Sequence, residues 1–97
     1  MKPIESTPFK PFDLGNVCMT QGVKDLFDDN LSLLVTYLQR YQCGDWGDTC
    51  AEDAELNNES IHDGYRIFAV YHYNETRFWI ITEADRHSTT ALLPEEY

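Results

Sequence analysis

The residues of this 97-residue chain with the most reactive side chains are three cysteines, three histidines and seventeen acids. A thiol nucleophile needs a base within hydrogen-bond reach and surroundings that lower its pKa. Cys50 has neither nearby. His62 stands twelve residues on, about 18 Å away along a continuous helix. His72 and His87 approach Cys50 only if the tertiary fold brings them there, and the acids around Cys50 raise a thiol pKa. Cys50 is therefore read as a buried or inert cysteine. Cys18, Cys43 and Cys50 form no CxxC pair and no HxxxH pair exists, so no zinc site is expected. Asp45, Asp48, Glu52 and Asp53 are types that chelate hard cations, but without the spacing of a calcium loop. Gly44 and Gly47 flank acids that would repel a phosphate. The expectation is no catalytic residue, no metal and no cofactor.

Charge is the stronger signal. Seventeen acids against seven bases leave −10, with a pI near 4.4. That sign excludes a broad basic surface for DNA or RNA and repels anionic membranes, and it favours a basic protein partner. Between Lys24 and Asp63 ten acids face two bases, which is −8 of the −10. Within that stretch Asp48, Glu52, Glu55, Glu59 and Asp63 step by 4, 3, 4 and 4. On a helix these five share one stripe, with carboxylates about 4.5–6 Å apart along the axis. Phosphates along a nucleic-acid strand are spaced by about 6 Å. A solvated face is the plain reading. Against it, the like charges at i, i+4 have no interleaved base, and Glu59 and Asp63 sit where the helix dipole disfavours anions.

The elements that position these residues follow from periodicity. Residues 1–11, with Pro3, Pro8 and Pro11, read as an extended lead-in, and 12–97 as one α+β domain. Phe12 to Met19 forms a first strand. Thr20 caps a short helix with Val23, Leu26 and Phe27 inward, weakened by Gly22. Asn30 caps a second helix with Leu31, Leu34, Leu38 and Tyr41 inward and Val35 widening the stripe, and Gly44 ends it. Thr49-Cys50-Ala51-Glu52 has the capping-box form, so a third helix runs from Thr49 toward Asp63-Gly64, weakened at Asn57-Asn58. Its sheet-facing side is expected to be Cys50, Ala51, Ala54 and Ile61.

From Tyr65 the period changes to two. Tyr65–Tyr73, Arg77–Glu83 and Ser88–Leu93 read as strands joined by turns at Asn74-Glu75-Thr76 and Asp85-Arg86-His87. The expected fold class is α+β, a helical N-terminal half packed on one face of a three- to four-stranded antiparallel sheet. Two further spots draw interest. Trp46 is either a core anchor or an exposed contact aromatic. Glu83, Asp85 and Arg86 form either a salt-bridged turn or a recognition corner.

The run GDWGD…C.ED…L (Gly44 to Asp48, Cys50, Glu52-Asp53) followed by WIITEADR…T..LLP..Y (Trp79 to Arg86, Leu92 to Tyr97) resembles a family of small bacterial proteins. They are carried on plasmids, phages and other mobile elements, and are loosely labelled plasmid-related or restriction–modification subunits. The resemblance covers roughly residues 12–97 and implies a mobile-element setting. It carries no catalytic residues, and the chain has no methyltransferase motif.

No stretch has the length of a membrane span, and the N-terminus lacks the apolar core of a secretory signal, so cytoplasmic residence is expected. The leading expectation is a non-enzymatic, acidic inhibitor. It would occupy a basic groove on a host nucleic-acid-handling defence complex, of the restriction or CRISPR kind. The contacts would come from Asp48, Glu52, Glu55, Glu59 and Asp63, with Asp45, Trp46, Glu83, Asp85 and Arg86 as neighbours. The alternatives are an interaction module using hairpin aromatics (Tyr71, Tyr73, Phe78, Trp79) and the Glu83-Asp85-Arg86 corner, or a small metal-dependent hydrolase or nuclease.

Overall fold

A computed structural model describes residues 12–97, so the expected lead-in at 1–11 lies outside the described residues. The chain runs β1 (Asn16–Met19), α1 (Gln21–Leu26), α2 (Leu31–Gln42), α3 (Ala51–Asp63), β2 (Ile67–Tyr73), β3 (Thr76–Thr82) and β4 (Ser88–Leu92), then a 3₁₀ turn at Pro94–Glu96. The strands make one mixed sheet in the order β1-β4-β3-β2. The fold is α+β, with a four-stranded sheet and three helices.

The expectation of a purely antiparallel sheet is corrected. β1 pairs parallel with β4, Asn16 opposite Ser88 and Met19 opposite Ala91. Parallel neighbours need a long crossover. Here the three helices and the β2–β3 hairpin supply it, so the first strand of the chain closes against the last. The N-terminal half is thus not wholly helical.

Pairing register sets the two faces of the sheet. β2 and β3 place Ile67, Ala69, Tyr71, Phe78 and Ile80 on the inner face, where Val23, Phe27, Leu34 and Tyr41 of the helical region join them in one core. The aromatics interlock there: Phe27 meets Phe78 edge-on at 5.3 Å, and Tyr37 meets Phe78 at 4.9 Å. A polar chain crosses this interior. Tyr41 Oη and Thr82 Oγ1 lie 2.8 Å apart, Thr82 and Thr89 2.8 Å, and Thr89 donates to the Leu14 carbonyl at 2.7 Å. With each hydroxyl donating toward Leu14, every member has a partner, as buried hydroxyls require. Burial pushes the Tyr41 phenol well above its ordinary pKa.

The helix caps at Thr20 and Asn30 form as expected, with Thr20 Oγ1 accepting from Val23 and Asn30 from Ser32. The stripe of α2 is corrected: Leu34 and Tyr41 are buried, but Leu31 is 59 % exposed and Val35 50 %. The sheet claims the face carrying Leu34, Tyr37, Leu38 and Tyr41 instead. Gly22, which weakens α1 as a sequence, sits close against the side chains of Leu93 and Glu96. A Cβ there would stand 2.7 Å from the Glu96 carboxylate, which accepts from the Gly22 N–H at 2.9 Å.

Candidate functional site

α3 is a continuous helix stopped by Gly64 at φ 78°, and Asn57-Asn58 does not break it. It begins later than the capping box implies. Cys50 is the N-cap and makes no side-chain cap bond. Thr49 is diverted: its hydroxyl donates to the Trp46 carbonyl at 2.6 Å and accepts from the Val70 N–H at 2.8 Å. That ties the preceding turn to the outer edge of β2.

The packed side of α3 is corrected as well. Cys50 and Ala51 are exposed, Ala54 and Ile61 half-buried, and the buried residues are Asn57 and Ser60. Ala54 and Ile61 do pack against the core as expected, but α3 also meets a strand edge. An edge presents unpaired N–H and C=O groups. Asn57 answers both on Phe68: its Nδ2 donates to the carbonyl at 2.7 Å, and its Oδ1 accepts from the N–H at 3.1 Å. Asp48 N–H donates to Val70 O at 2.7 Å, and Tyr37 Oη to His72 O at 2.8 Å. The edge at Phe68 and Val70 is thereby occupied, which leaves neither residue for strand addition by a partner.

Four of the five expected stripe residues, Glu52, Glu55, Glu59 and Asp63, do lie on α3, and all four are exposed. At 100° per residue they span about 80° of arc, on the side away from Asn57 and Ala54, and about 16 Å along the axis. None of the four has an ion-pair partner among the described residues. Leu56, 57 % exposed, lies beside them.

Asp48 does not belong to the stripe. It precedes the helix, and its Oδ2 sits 2.6 Å from His72 Nδ1 on β2. Asp45 is engaged too, 2.8 Å from Arg40 Nε, and that hydrogen bond holds its carboxyl below the usual range. Trp46 is 6 % exposed and donates its indole N–H to Asn58 at 2.9 Å, which makes it a core anchor. Arg86 forms no ion pair with Glu83 or Asp85. Its guanidinium donates to the carbonyls of Tyr65 and Ser60 at 2.7 Å, Glu83 at 3.1 Å and Ala84 at 3.2 Å. Glu83 pairs instead with Arg66 at 3.5 Å, and Asp85 faces His87 at 3.6 Å. The corner is a staple that ties the Ser60 carbonyl at the end of α3, which also accepts from the Gly64 N–H, to the β3–β4 turn.

Sequence reasoning missed two depressions. One, about 150 Å³, is lined by Tyr37, Arg40, Gly47, Asp48, Tyr71 and His72. Arg40 lies 5.4 Å over the Tyr37 ring and 5.1 Å over Tyr71. Gly47, at φ 65°, lets the turn approach β2, since a Cβ would stand 2.5 Å from Val70 O. The Asp48–His72 pair orients an imidazole, as a general base requires. Its lining holds no serine, cysteine or threonine, and Arg40 is already neutralised by Asp45. The other depression, about 290 Å³, opens on the outer sheet face between Arg66, Phe68, Trp79, Ile81 and Tyr97. A signal for it existed in the sequence: Phe68, Val70, Trp79 and Ile81 are apolar at alternate positions opposite to those of the core. The hairpin aromatics named as a contact surface do not form one, because Tyr71 and Phe78 are 1 % and 0 % exposed. Only Trp79 turns outward.

Among the described residues, no three His, Cys, Asp or Glu side chains converge on a metal position, and no helix is long and apolar enough to cross a membrane. In comparisons with protein-family models, curated proteins and solved structures, nothing matches this chain.

Proposed function

We propose that the protein is a non-catalytic acidic binding module that lays the exposed face of α3 into a basic groove of a nucleic-acid-handling protein. The observation that carries this reading is the unpaired stripe Glu52, Glu55, Glu59 and Asp63 on a helix whose opposite side is fixed to the β2 edge. Carboxylates spaced along one rigid face present charge where a nucleic-acid backbone would, and arginine and lysine on the partner are the complement. Leu56 adds an apolar contact beside the acids. The mobile-element setting implied by the sequence resemblance narrows the partner to a defence complex of the restriction or CRISPR class, with the protein as its inhibitor in the cytoplasm.

The test is affinity capture from a bacterial lysate at low and high salt, with and without competing DNA. A retained nuclease or CRISPR component that both DNA and salt displace supports the reading. Combined Glu52→Lys, Glu55→Lys and Glu59→Lys should weaken that complex by about a hundredfold, from at least ~1 kcal/mol per reversed contact. Unchanged affinity in a folded triple variant refutes it.

A further inference from the structure

The outer sheet face poses a problem that neither the fold nor the acidic helix resolves. A sheet covered on one side is expected to carry polar residues on the other. Here register places Phe68 opposite Ile81, Val70 opposite Trp79, and Trp79 opposite Leu92 on the outer face, where Ile81 and Leu92 are buried and Phe68, Val70 and Trp79 half-buried. The 3₁₀ turn after β4 brings Tyr97 beside them without filling the space, and Tyr97 itself is 69 % exposed. The rings stand at steep angles: Phe68 to Trp79 at 5.0 Å and 76°, and Trp79 to Tyr97 at 5.6 Å and 68°. Between them lies the cavity of about 290 Å³, just under the size range of small-molecule sites.

Charge selects the occupant. Arg66 is the one charged residue in the lining of a chain that is otherwise strongly negative. Its guanidinium lies 5.8 Å over the Tyr97 ring and donates to Tyr97 Oη at 3.1 Å and, at 3.5 Å, to Glu83. Arg66 and Glu83 are about half exposed, at 49 % and 48 %, so that pair holds weakly. Those two bonds leave three of the five N–H donors of an arginine for an incoming group.

We propose that this cavity is a binding site for a small aromatic carboxylate. Its planar ring lies against Phe68, Trp79 and Ile81, and its carboxylate reaches Arg66. An apolar slot with a single cation at its rim recognises that combination: the ring supplies contact area, and the carboxylate meets the planar fork of the guanidinium.

The test is a titration of the full chain followed by amide chemical shifts, using indole-3-acetate, indole and tryptamine as probes. The expected result is saturable shifts confined to the strands around Phe68, Trp79 and Ile81 and to Tyr97. Indole-3-acetate should bind about fivefold tighter than indole, from ~1 kcal/mol for a half-exposed ion pair, and tryptamine should bind more weakly than indole. Arg66→Gln should abolish the advantage of indole-3-acetate over indole. Tryptamine binding as tightly as the acid, shifts centred on α2 or α3, or an acid preference that survives Arg66→Gln would each overturn the proposal. A peptide ending in tryptophan that binds more tightly than indole-3-acetate would overturn the small-ligand assignment.

Discussion

Removing the Asn57 side chain tests whether α3 is held by edge capping or by apolar contact. Asn57 is 3 % exposed, and its amide satisfies both backbone groups of Phe68, at 2.7 and 3.1 Å. Asn57→Ala leaves a donor and an acceptor unpaired, each costing about 1–3 kcal/mol when buried. Phe68 is only half-buried, so the lower part of that range applies, about 2–3 kcal/mol in total. A chain this size has about 5–15 kcal/mol of total stability, so the loss is a large share of it. The matching fall in Tm is about 10–20 °C. Urea denaturation at unchanged m-value is the assay, with Glu55→Ala on the exposed side as a control expected within about 0.5 kcal/mol of the parent. Asn57→Asp should do no better than alanine at neutral pH, because it keeps one acceptor and faces the Phe68 carbonyl with a charge. An Asn57→Ala cost below about 1 kcal/mol would refute the edge-capping account.

Arg86→Gln should cost about 2–3 kcal/mol by urea denaturation, since it removes charge-assisted bonds to four carbonyls that bind α3 to the β3–β4 turn. Arg86→Lys should recover less than half of that, because one ammonium cannot span the fork. The Glu96 carboxyl is held below its ordinary range by the Thr20 hydroxyl, then by the N–H groups of Leu93 and Gly22. Its folded pKa is depressed, so its contribution is present above the unfolded carboxylate value of about 4.3 and is lost as pH falls through the folded pKa. Thermal melts between pH 5 and pH 3 should therefore drop more steeply for the parent than for Glu96→Gln, and parallel slopes would contradict the assignment. Glu59→Lys should leave Tm unchanged or raise it by a few degrees, by turning the i, i+4 repulsions with Glu55 and Asp63 into attractions and easing the clash with the helix dipole, which together amount to about 1 kcal/mol.

How much of this was legible in the sequence depends on the range of the signal. Thr20, Asn30 and Gly64 act within one turn of a helix, and all three do what local chemistry dictates. The antiparallel hairpin of β2 and β3 is local too, and its turn at Asn74 and Glu75 takes the positive φ values, 48° and 67°, that such turns require. The parallel pairing of β1 with β4 joins opposite ends of the chain, and nothing in either strand encodes the partner. The failures at the site share one cause. Thr49, Asn57 and Arg86 were weighed as a cap, a helix weakness and a recognition group, each by its neighbours in sequence. Each is spent instead on backbone groups 11 to 26 residues away, at Val70, Phe68 and Ser60. Asp48 left the acidic stripe for the same kind of reason, because the helix starts at Ala51 and His72 stands within reach.

That division of labour bears on the proposed function. Four acids near the ends of elements have structural partners: Asp45 has Arg40, Asp48 has His72, Glu83 has Arg66, and Glu96 has the start of α1. Two of the five bases within residues 12–97, Arg40 and Arg66, are thereby committed to acids, and Arg86 is committed to carbonyls. The α3 stripe draws on none of these partners. Glu55, Glu59 and Asp63 can therefore be reversed without breaking any interaction that supports the fold, Glu52 loses only its first-turn interaction with the helix dipole, and the same is untrue of Asp45 or Glu96. Glu59 and Asp63 cost helix stability and support nothing internal, so the stripe on α3 is the surface where the partner proposed above should be sought.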